Sequence, residues 1–379
     1  MQGFTEDYNE AEKEYHIPLV ERDIMRTFGV IMAGGGGTRF WPLSRRERPK
    51  QLLNLTGRDL MINETIDRIN SVIGLNNIYI VTNTSQGKAM CEAVYGRLED
   101  KNIILEPAAR NTAACIGYAA VRIEAEFGGG IMCVFPADHY IQDEHGFSKI
   151  LEAAVAEAEA EDALFTIGIE PTFPSTGYGY INYQKDSQGQ AKKVKQFVEK
   201  PCLEKAEQYL KSGDYAWNSG MFVWKTSVIL DEIKKYIPDM YEKLMLIKDS
   251  IGTDAEAETI EKVYPEIPKI SIDYGVMEKS DKVMVFSGEF GWNDVGSWDT
   301  LEAVHTKDEN GNIFIGEHVD IDTKGSVVYA GGKMVTTIGV SNLVIVETDN
   351  ALLVCDKSRA QEVKKLVEQF EKSGQEEYL

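Results

Sequence analysis

Four consecutive glycines, Gly34, Gly35, Gly36 and Gly37, stand between Ala33 and the polar pair Thr38-Arg39, and Pro49-Lys50-Gln51 follows a short way downstream. Residues without a Cβ let backbone N–H groups turn toward an anion and let a phosphate come close. Just upstream, Phe28-Gly29-Val30-Ile31-Met32 is an apolar run of buried-strand type, so the glycines begin where a strand ends. From Arg39 to Lys50 the chain carries Arg39, Arg45, Arg46, Arg48 and Lys50 against the single acid Glu47, although its formal net charge is −21. This basic island reads as a seat for a polyphosphate. Two familiar glycine loops do not fit it. A P-loop needs Gly-Lys followed by Ser or Thr, and in a dinucleotide fingerprint counted from Gly34 the third glycine is replaced by Arg39. The glycines alone suit a plain strand-to-helix turn equally well; the attached Thr-Arg and Pro-Lys-Gln favour the phosphate seat.

A second centre is Phe135-Pro136-Ala137-Asp138-His139, directly after the apolar run Ile131–Phe135. A carboxylate at the C-terminal edge of a strand faces the ligand crevice of an open α/β sheet, and a hard oxygen there suits Mg²⁺ carrying a nucleoside triphosphate. Taken alone, an Asp after Pro is more often a turn or a cap. Gly291-Trp292-Asn293-Asp294-Val295-Gly296-Ser297-Trp298 sets another acid, Asp294, in a rigid turn. In Thr176–Ile181, glycines such as Gly179 let backbone lie against a small ring, and tyrosines such as Tyr180 offer hydroxyls and faces to it. Glu199 and Asn218 carry groups that suit sugar hydroxyls, and Lys200 a charge that suits a sugar's phosphate.

These strings carry a resemblance. The stretch GGGGTRFWPLSRRERPKQ is similar to the signature of the sugar-1-phosphate nucleotidyltransferase family, in the form found in its mannose-1-phosphate guanylyltransferase branch, to which Phe40-Trp41-Pro42 points. The similarity runs from about Phe28 onward and leaves out the first 26 or so residues. It implies transfer of GMP from GTP to mannose 1-phosphate with loss of pyrophosphate. It also implies that Asp138, in Pro-x-Asp-His, and Asp294, in Trp-x-Asp-Val-Gly-Ser-Trp, bind Mg²⁺. By the same resemblance Ala33, Gly34, Gly35, Gly36, Gly37, Thr38, Arg39 and Lys50 receive the nucleotide, with Arg39, Lys50 and Asp138 as the catalytic residues. Gly179, Tyr180, Glu199, Lys200, Asn218 and Ser219 would line the sugar-phosphate pocket. Glu106-Pro107-Ala108-Ala109-Arg110-Asn111-Thr112 resembles the segment beside the purine, with Ala114 where the family carries proline, so Glu106, Asn111 and Thr112 join the nucleotide site. The guanine reader stays open between the Glu106 carboxylate and the Ala33-Gly34 backbone, and His139 is read as packing. Two alternatives are another pairing of hexose 1-phosphate with nucleoside triphosphate, and a non-catalytic regulatory subunit. The second predicts losses among Arg39, Lys50, Asp138 and Asp294, and all four are present.

The elements that must position these groups follow from periodicity. Phe28–Met32, Ile78–Thr82, Ile103–Leu105, Ile131–Phe135 and Leu164–Ile169 read as strands, and Met61–Ile73, Ser85–Gly96 and Thr112–Phe127 between them as helices. That order predicts an α/β fold: a Rossmann-like, doubly wound, mostly parallel mixed sheet with ligands at the strands' C-terminal ends. Tyr178–Tyr183, Lys193–Val198 and Met221–Lys225 read as further strands of a substrate-facing lobe, with helices at Leu203–Lys211 and Ser227–Tyr236. From Ile313 to Val354, β-branched residues and glycines between turns predict a small β domain, which the family likeness would make a left-handed β-helix, closed by a helix at Arg359–Lys372. The expected division is an extension over 1–26, a catalytic domain over 27–305 and the β domain over 306–379. The acidic balance speaks against nucleic acid or an anionic membrane as partner, and no apolar run approaches the ~20 residues of a membrane span. Five cysteines without a Cys-x-x-Cys pair, and an N-terminus without an apolar leader, lead to the expectation of a reduced, cytoplasmic protein. A small β domain with a terminal helix often provides a dimer face, so by analogy a homodimer is one option, and the sequence leaves the oligomeric state open. On this reading Asp138→Asn lowers kcat far more than it raises the KM for the sugar phosphate; steady-state kinetics returning an unchanged kcat would remove Asp138 from the site.

Overall fold

The computed structural model describes residues 25–185 and 189–379; apart from Met25 and Arg26, the N-terminal extension read in the sequence lies outside them. The first half of the chain alternates as expected: β1 (Thr27–Met32), α1 (Met61–Ile73), β2 (Ile78–Asn83), α2 (Thr84–Ala93), β3 (Ile103–Glu106), α3 (Asn111–Phe127) and β4 (Ile131–Pro136). Next come a two-residue strand β5 (Tyr140–Ile141), α4 (Glu144–Ala160), β6 (Leu164–Ile169), β7 (Tyr180–Tyr183), β8 (Lys192–Val198), α5 (Leu203–Ser212) and β9 (Tyr215–Lys225). The helices α6 (Thr226–Tyr236), α7 (Pro238–Ser250) and α8 (Glu256–Val263) lead to β10 (Val283–Gly288) and the short β11 (Trp292–Asn293). Helix starts are marked by side chains that satisfy free N–H groups: Asn83 accepts from Gln86 N ahead of α2, and Asp143 from Gly146 N ahead of α4.

One nine-stranded sheet runs in the order β3-β2-β1-β4-β9-β6-β10-β8-β7. β3, β2, β1 and β4 are parallel, β9 is antiparallel to both β4 and β6, and β10 is parallel to β6. Both faces are covered, which is why these strands read as continuous apolar runs. Phe28 and Val30 of β1, with Met132 and Val134 of β4, pack toward α3, α6 and α7; Ile31, Cys133 and Phe135 point the other way, toward α1 and α4. Parallel order sets the C-terminal ends of β1, β3 and β4 along one edge, where the glycine loop, Glu106 and Asp138 emerge. Because β9 runs antiparallel to β4, its first half, Tyr215–Met221, reaches the same edge.

The C-terminal β domain consists of parallel coils. β12 (Ile313–Ile315), β14 (Val327–Ala330) and β16 (Leu343–Glu347) stack in register, as do β13 (His318–Ile321) and β15 (Val335–Ile338), and β17 (Leu352–Asp356) closes the stack antiparallel to β16. The terminal helix begins later than the sequence suggests: Lys357–Glu362 is a 3₁₀ turn, and α9 proper spans Val363–Ser373. The domain does not stand apart. One hydrophobic cluster takes Phe40 and Trp41 from the signature loop, Val295 and Trp298 from the tryptophan motif, Ile313, Val327 and Val344 from the coils, and Val363 and Val367 from α9. At its centre Trp298 is fully buried, lies 5.2 Å from the Phe40 ring, and donates its indole N–H to Trp41 O at 3.1 Å.

All five cysteines are unpaired, and no helix among the described residues is long and apolar enough to cross a membrane. Trp298→Ala removes the more deeply buried of the cluster's two tryptophans and leaves a cavity where four segments meet, at an expected cost of about 3–5 kcal/mol. Chemical denaturation of the variant followed by circular dichroism is the check; a loss below about 1 kcal/mol would mean that the cluster is not the joint.

Candidate active site

Two cavities open at the C-terminal edge of the sheet. The larger, about 550 Å³, is lined by Ala33, Gly34, Gly35, Glu106, Asn111 and Thr112 on one side and by Gly179, Glu199, Lys200, Asn218 and Ser219 on the other. The smaller, about 350 Å³, is lined by Gly37, Thr38, Arg39, Lys50 and, from α9, Lys364. Asp138, His139 and Asp294 belong to the walls of both. Gly36 is exposed in the loop between them.

The two acids come together through a two-stranded ribbon. β5 follows Asp138-His139, β11 precedes Asp294, and they pair antiparallel with Asn293 opposite Tyr140. Lys50 fastens the result. Its buried ammonium donates to Asp138 Oδ2 at 2.8 Å, to Asp138 O at 2.9 Å and to Asp294 O at 2.6 Å. A lysine ammonium has three donors, and all three are taken. Burial would raise the Asp138 carboxyl, but the Lys50 and His139 charges and the Lys50 hydrogen bond outweigh it and hold the group below its ordinary range. Asp294 Oδ1 in turn accepts from the Tyr178 hydroxyl at 3.0 Å. Burial, aided by the Lys50 and Arg68 charges and opposed by Asp138, pushes His139 down to about 4, so its ring is neutral at physiological pH. His139 Nδ1 accepts from the Trp292 indole at 3.1 Å, with the rings edge to face.

The glycine loop is held from below by Gln51, whose amide donates to Ala33 O at 2.5 Å and to Gly35 O at 3.2 Å. Gly37 is the position that only glycine fits: its φ is +57°, and a Cβ there would lie 2.4 Å from Lys50 Cβ. Gly179 permits a different close approach, since a Cβ would fall 2.5 Å from Glu199 Oε2. Three residues with side chains hold positive φ within or beside the larger cavity: Asn111 (68°), Lys200 (43°) and Val295 (42°). Such conformations cost of order 1–3 kcal/mol each and persist where the surroundings impose them.

Several sequence expectations change here. Arg45, Arg46 and Arg48 do not face the cavities. Arg45 donates to Tyr378 O and Asn350 Oδ1, Arg46 pairs with Glu371 and Glu376, and Arg48 Nε reaches Leu52 O, so two of the five cations serve the C-terminal segment and a third a local turn. Only Arg39 and Lys50 of that island line a cavity, and Lys50 is committed to the two aspartates instead of standing as a free cation. Tyr180 is fully buried with its hydroxyl on Ser175 O, because β7 starts two residues later than the sequence suggests, and Tyr178 lines the cavity in its place. Ser219 lines the wall, but its hydroxyl donates to Ile167 O. Ala33 cannot offer its backbone to a base: its N–H bonds Val81 O, and its carbonyl accepts from Gln51 and Thr82. Thr112 lines the cavity, but its Oγ1 accepts from Ile272 N and so is engaged with the segment after α8. Missed by sequence reasoning are Asp273, which accepts from Asn218 Nδ2 at 2.7 Å and whose carboxyl is raised by burial, together with Lys269 and Trp292 in the same wall. No motif marks Asp273; it reaches the site only because the segment after α8 folds back against α3.

A family model described as nucleotidyl transferase matches residues 28–311. The chain belongs to the nucleotidyl transferase family. A second model, for a mannoseP isomerase/GMP-like β-helix domain, matches residues 316–370, the coils and most of α9. Among relatives of this nucleotidyl transferase, the mannose-1-phosphate guanylyltransferase of Escherichia coli K12 is 40% identical over 93% of the chain and 75% of its own length. The alginate biosynthesis protein AlgA of Pseudomonas putida KT2440 is 38% identical over 92% of the chain and 72% of its own. A solved structure described as mannose-1-phosphate geranyltransferase from Thermus thermophilus is 35% identical, with a TM-score of 0.83 over 92% of this chain and all of that one. In this nucleotidyl transferase, Gly37→Ala is expected to push Lys50 off the aspartate pair and to lower turnover at least ~10-fold, from positive-φ strain plus backbone collision. Steady-state kinetics together with a melting curve check this, and wild-type turnover in a folded variant would mean that the loop yields without moving Lys50.

Proposed function

We propose that the chain transfers GMP from GTP to α-D-mannose 1-phosphate, giving GDP-mannose and pyrophosphate. The observation that carries this reading is the pair of cavities that share Asp138 and Asp294 as their common wall. A nucleoside and a sugar phosphate fit the larger cavity, the β- and γ-phosphates fit the smaller, and the α-phosphorus then falls at the two carboxylates.

Asp138 and Asp294 fit a Mg²⁺ site. No cluster of three or more His, Cys, Asp or Glu exists among the described residues that would hold a metal unaided, whereas Mg²⁺ in nucleotide sites takes one or two carboxylates and completes its shell with phosphate oxygens and water. Such an ion would supply charge neutralisation at the phosphoryl oxygens. Lys50 keeps the two carboxylates in register, and Tyr178 orients Asp294. A phosphate oxygen of mannose 1-phosphate attacks the α-phosphorus, the bond to the α,β-bridging oxygen breaks, and pyrophosphate leaves with that electron pair into the smaller cavity beside Arg39. Positioning and electrostatics supply the catalysis, since the reaction needs no covalent intermediate. Lys200 faces the sugar's phosphate, and Glu199 and Asn218, the latter held by Asp273, face its hydroxyls.

For the base we favour the buried Glu106 carboxylate; of the alternative Ala33-Gly34 backbone, Ala33 is committed to its neighbours and Gly34 alone still faces the cavity. Tyr264 OH donates to Glu106 Oε1, and Oε2 lies 3.1 Å from where a Gly34 Cβ would be, beside the cavity. An ionised carboxylate there can accept from guanine N1–H and the 2-amino group, which adenine and the pyrimidines do not present together. Burial raises the Glu106 carboxyl, with the Tyr264 hydrogen bond opposing. It therefore takes up its proton at a higher pH than an ordinary glutamate, and guanine preference falls on acidification. The test is pyrophosphate release with GTP, ATP, UTP, CTP and dTTP against mannose 1-phosphate and glucose 1-phosphate, for the wild type and Glu106→Gln. Turnover confined to GTP and mannose 1-phosphate, with the GTP-over-ATP ratio cut roughly 10–100-fold in the variant, is expected. Turnover on another pair would overturn the specificity, and binding without turnover would favour a regulatory subunit.

A further inference from the structure

The smaller cavity has one wall that the catalytic body does not supply. Lys364 sits in the first turn of α9, in the C-terminal domain, and lines the same cavity as Gly37, Thr38, Arg39 and Lys50. Its position is fixed by its neighbours in the helix. Val363 and Val367 are buried in the cluster that holds Phe40, and Phe370 packs at 5.3 Å from the Trp41 ring, so α9 lies directly on the signature loop. On this helix the lysines differ. Lys365 is paired with Glu362 at 3.0 Å, whereas Lys364, like Arg39, has no acid, hydrogen-bond or ring partner among the described residues.

Lys364 is exposed at the cavity's rim, and the cavity's charges are Arg39, Lys50 and Lys364 against Asp138 and Asp294; with Lys50 paired to Asp138, the two cations without an ion-pair partner outnumber the remaining carboxylate, which favours an anion there. The cations already in that cavity are otherwise employed or insufficient: Lys50 has no donor to spare, and Arg39 alone faces a group that leaves with several negative charges. We infer that Lys364 is a pyrophosphate-binding residue, reaching from the C-terminal domain to the β- and γ-phosphates of the nucleotide. This rests on the guanylyltransferase reading for the direction of the reaction, but not for the anion itself. The C-terminal domain then completes the substrate site as well as bracing it.

The experiment compares the wild type with Lys364→Ala, Lys364→Arg and Lys365→Ala as full-length chains. In pyrophosphorolysis of GDP-mannose, Lys364→Ala is expected to raise the KM for pyrophosphate roughly 5–20-fold, as for a partly solvated charge-assisted contact, while the KM for GDP-mannose moves less than about 2-fold. Lys364→Arg restores most of the loss because the charge is kept, and Lys365→Ala behaves as wild type. A KM for pyrophosphate within about 2-fold of wild type in Lys364→Ala would overturn the inference, as would an equal effect in Lys365→Ala. Calorimetric titration with inorganic tripolyphosphate gives a readout without turnover. Weaker binding in Lys364→Ala supports the site even if GTP and mannose 1-phosphate prove to be the wrong substrates, and unchanged binding sinks it even if they prove right.

Discussion

The Lys50 ammonium is the constraint on which the rest of the site depends. A single buried cation joins the Asp138 carboxylate and carbonyl to the Asp294 backbone carbonyl, and so ties the loop after β4 to the loop after β11. The arrangement explains why the loops around it are so narrowly specified. Gly37 must lack a side chain because Lys50 passes beneath it, Gln51 must clasp the glycine loop because Lys50 pins the turn that follows, and the β5–β11 ribbon must be antiparallel to set Asp294 opposite His139.

A second constraint lies further out. The rings of Phe40, Trp41 and Trp298 do not touch ligand-facing groups in the larger cavity; they form the socket into which the β coils and α9 are seated. The Phe-Trp-Pro string, which in the sequence points to a substrate branch, therefore records domain architecture more directly than sugar or base preference. The matching boundary between the two family models, at residues 311 and 316, runs along the chain, whereas the hydrophobic cluster runs across it.

How much was legible in advance follows from the same physics. Strands buried on both faces announce themselves as apolar runs, and β6 and α1 have the limits that periodicity gave them, while α4, α7, α8 and β10 passed unread. Strand direction made Asp138 a candidate, but the family resemblance was needed to single it out from a turn or cap and to pair it with Asp294. Charge was the poor guide. Arg45 and Arg46 lie within a few residues of Arg39, yet their partners, Tyr378 O, Glu371 and Glu376, are more than three hundred positions away and cannot be inferred from local composition. Tyr178 and Tyr180 exchanged expected places because the onset of β7 decides which of the two stands free of the sheet. Asp273 and Lys364 were out of reach altogether, since nothing in their own segments distinguishes them from a solvated acid and a solvated lysine on an amphipathic helix.

The joint between the signature loop and the last residues has a consequence for how the molecule comes into being. The Trp41 indole donates to Tyr378 O at 2.8 Å, and Arg46 N to Leu379 O at 2.8 Å, so a loop near the front of the described chain is closed by its far end. Contacts of such long sequence separation form late, because the loop entropy must be spent before they return anything. On the ribosome the sheet can assemble as its strands emerge, and Trp298 can cover Phe40 early, but Trp41 must wait for its partners until Phe370, Tyr378 and Leu379 have left the exit tunnel. A nascent or truncated chain would thus show a folded body with the Trp41 ring bare beside the signature loop, the kind of surface that chaperones and proteases recognise.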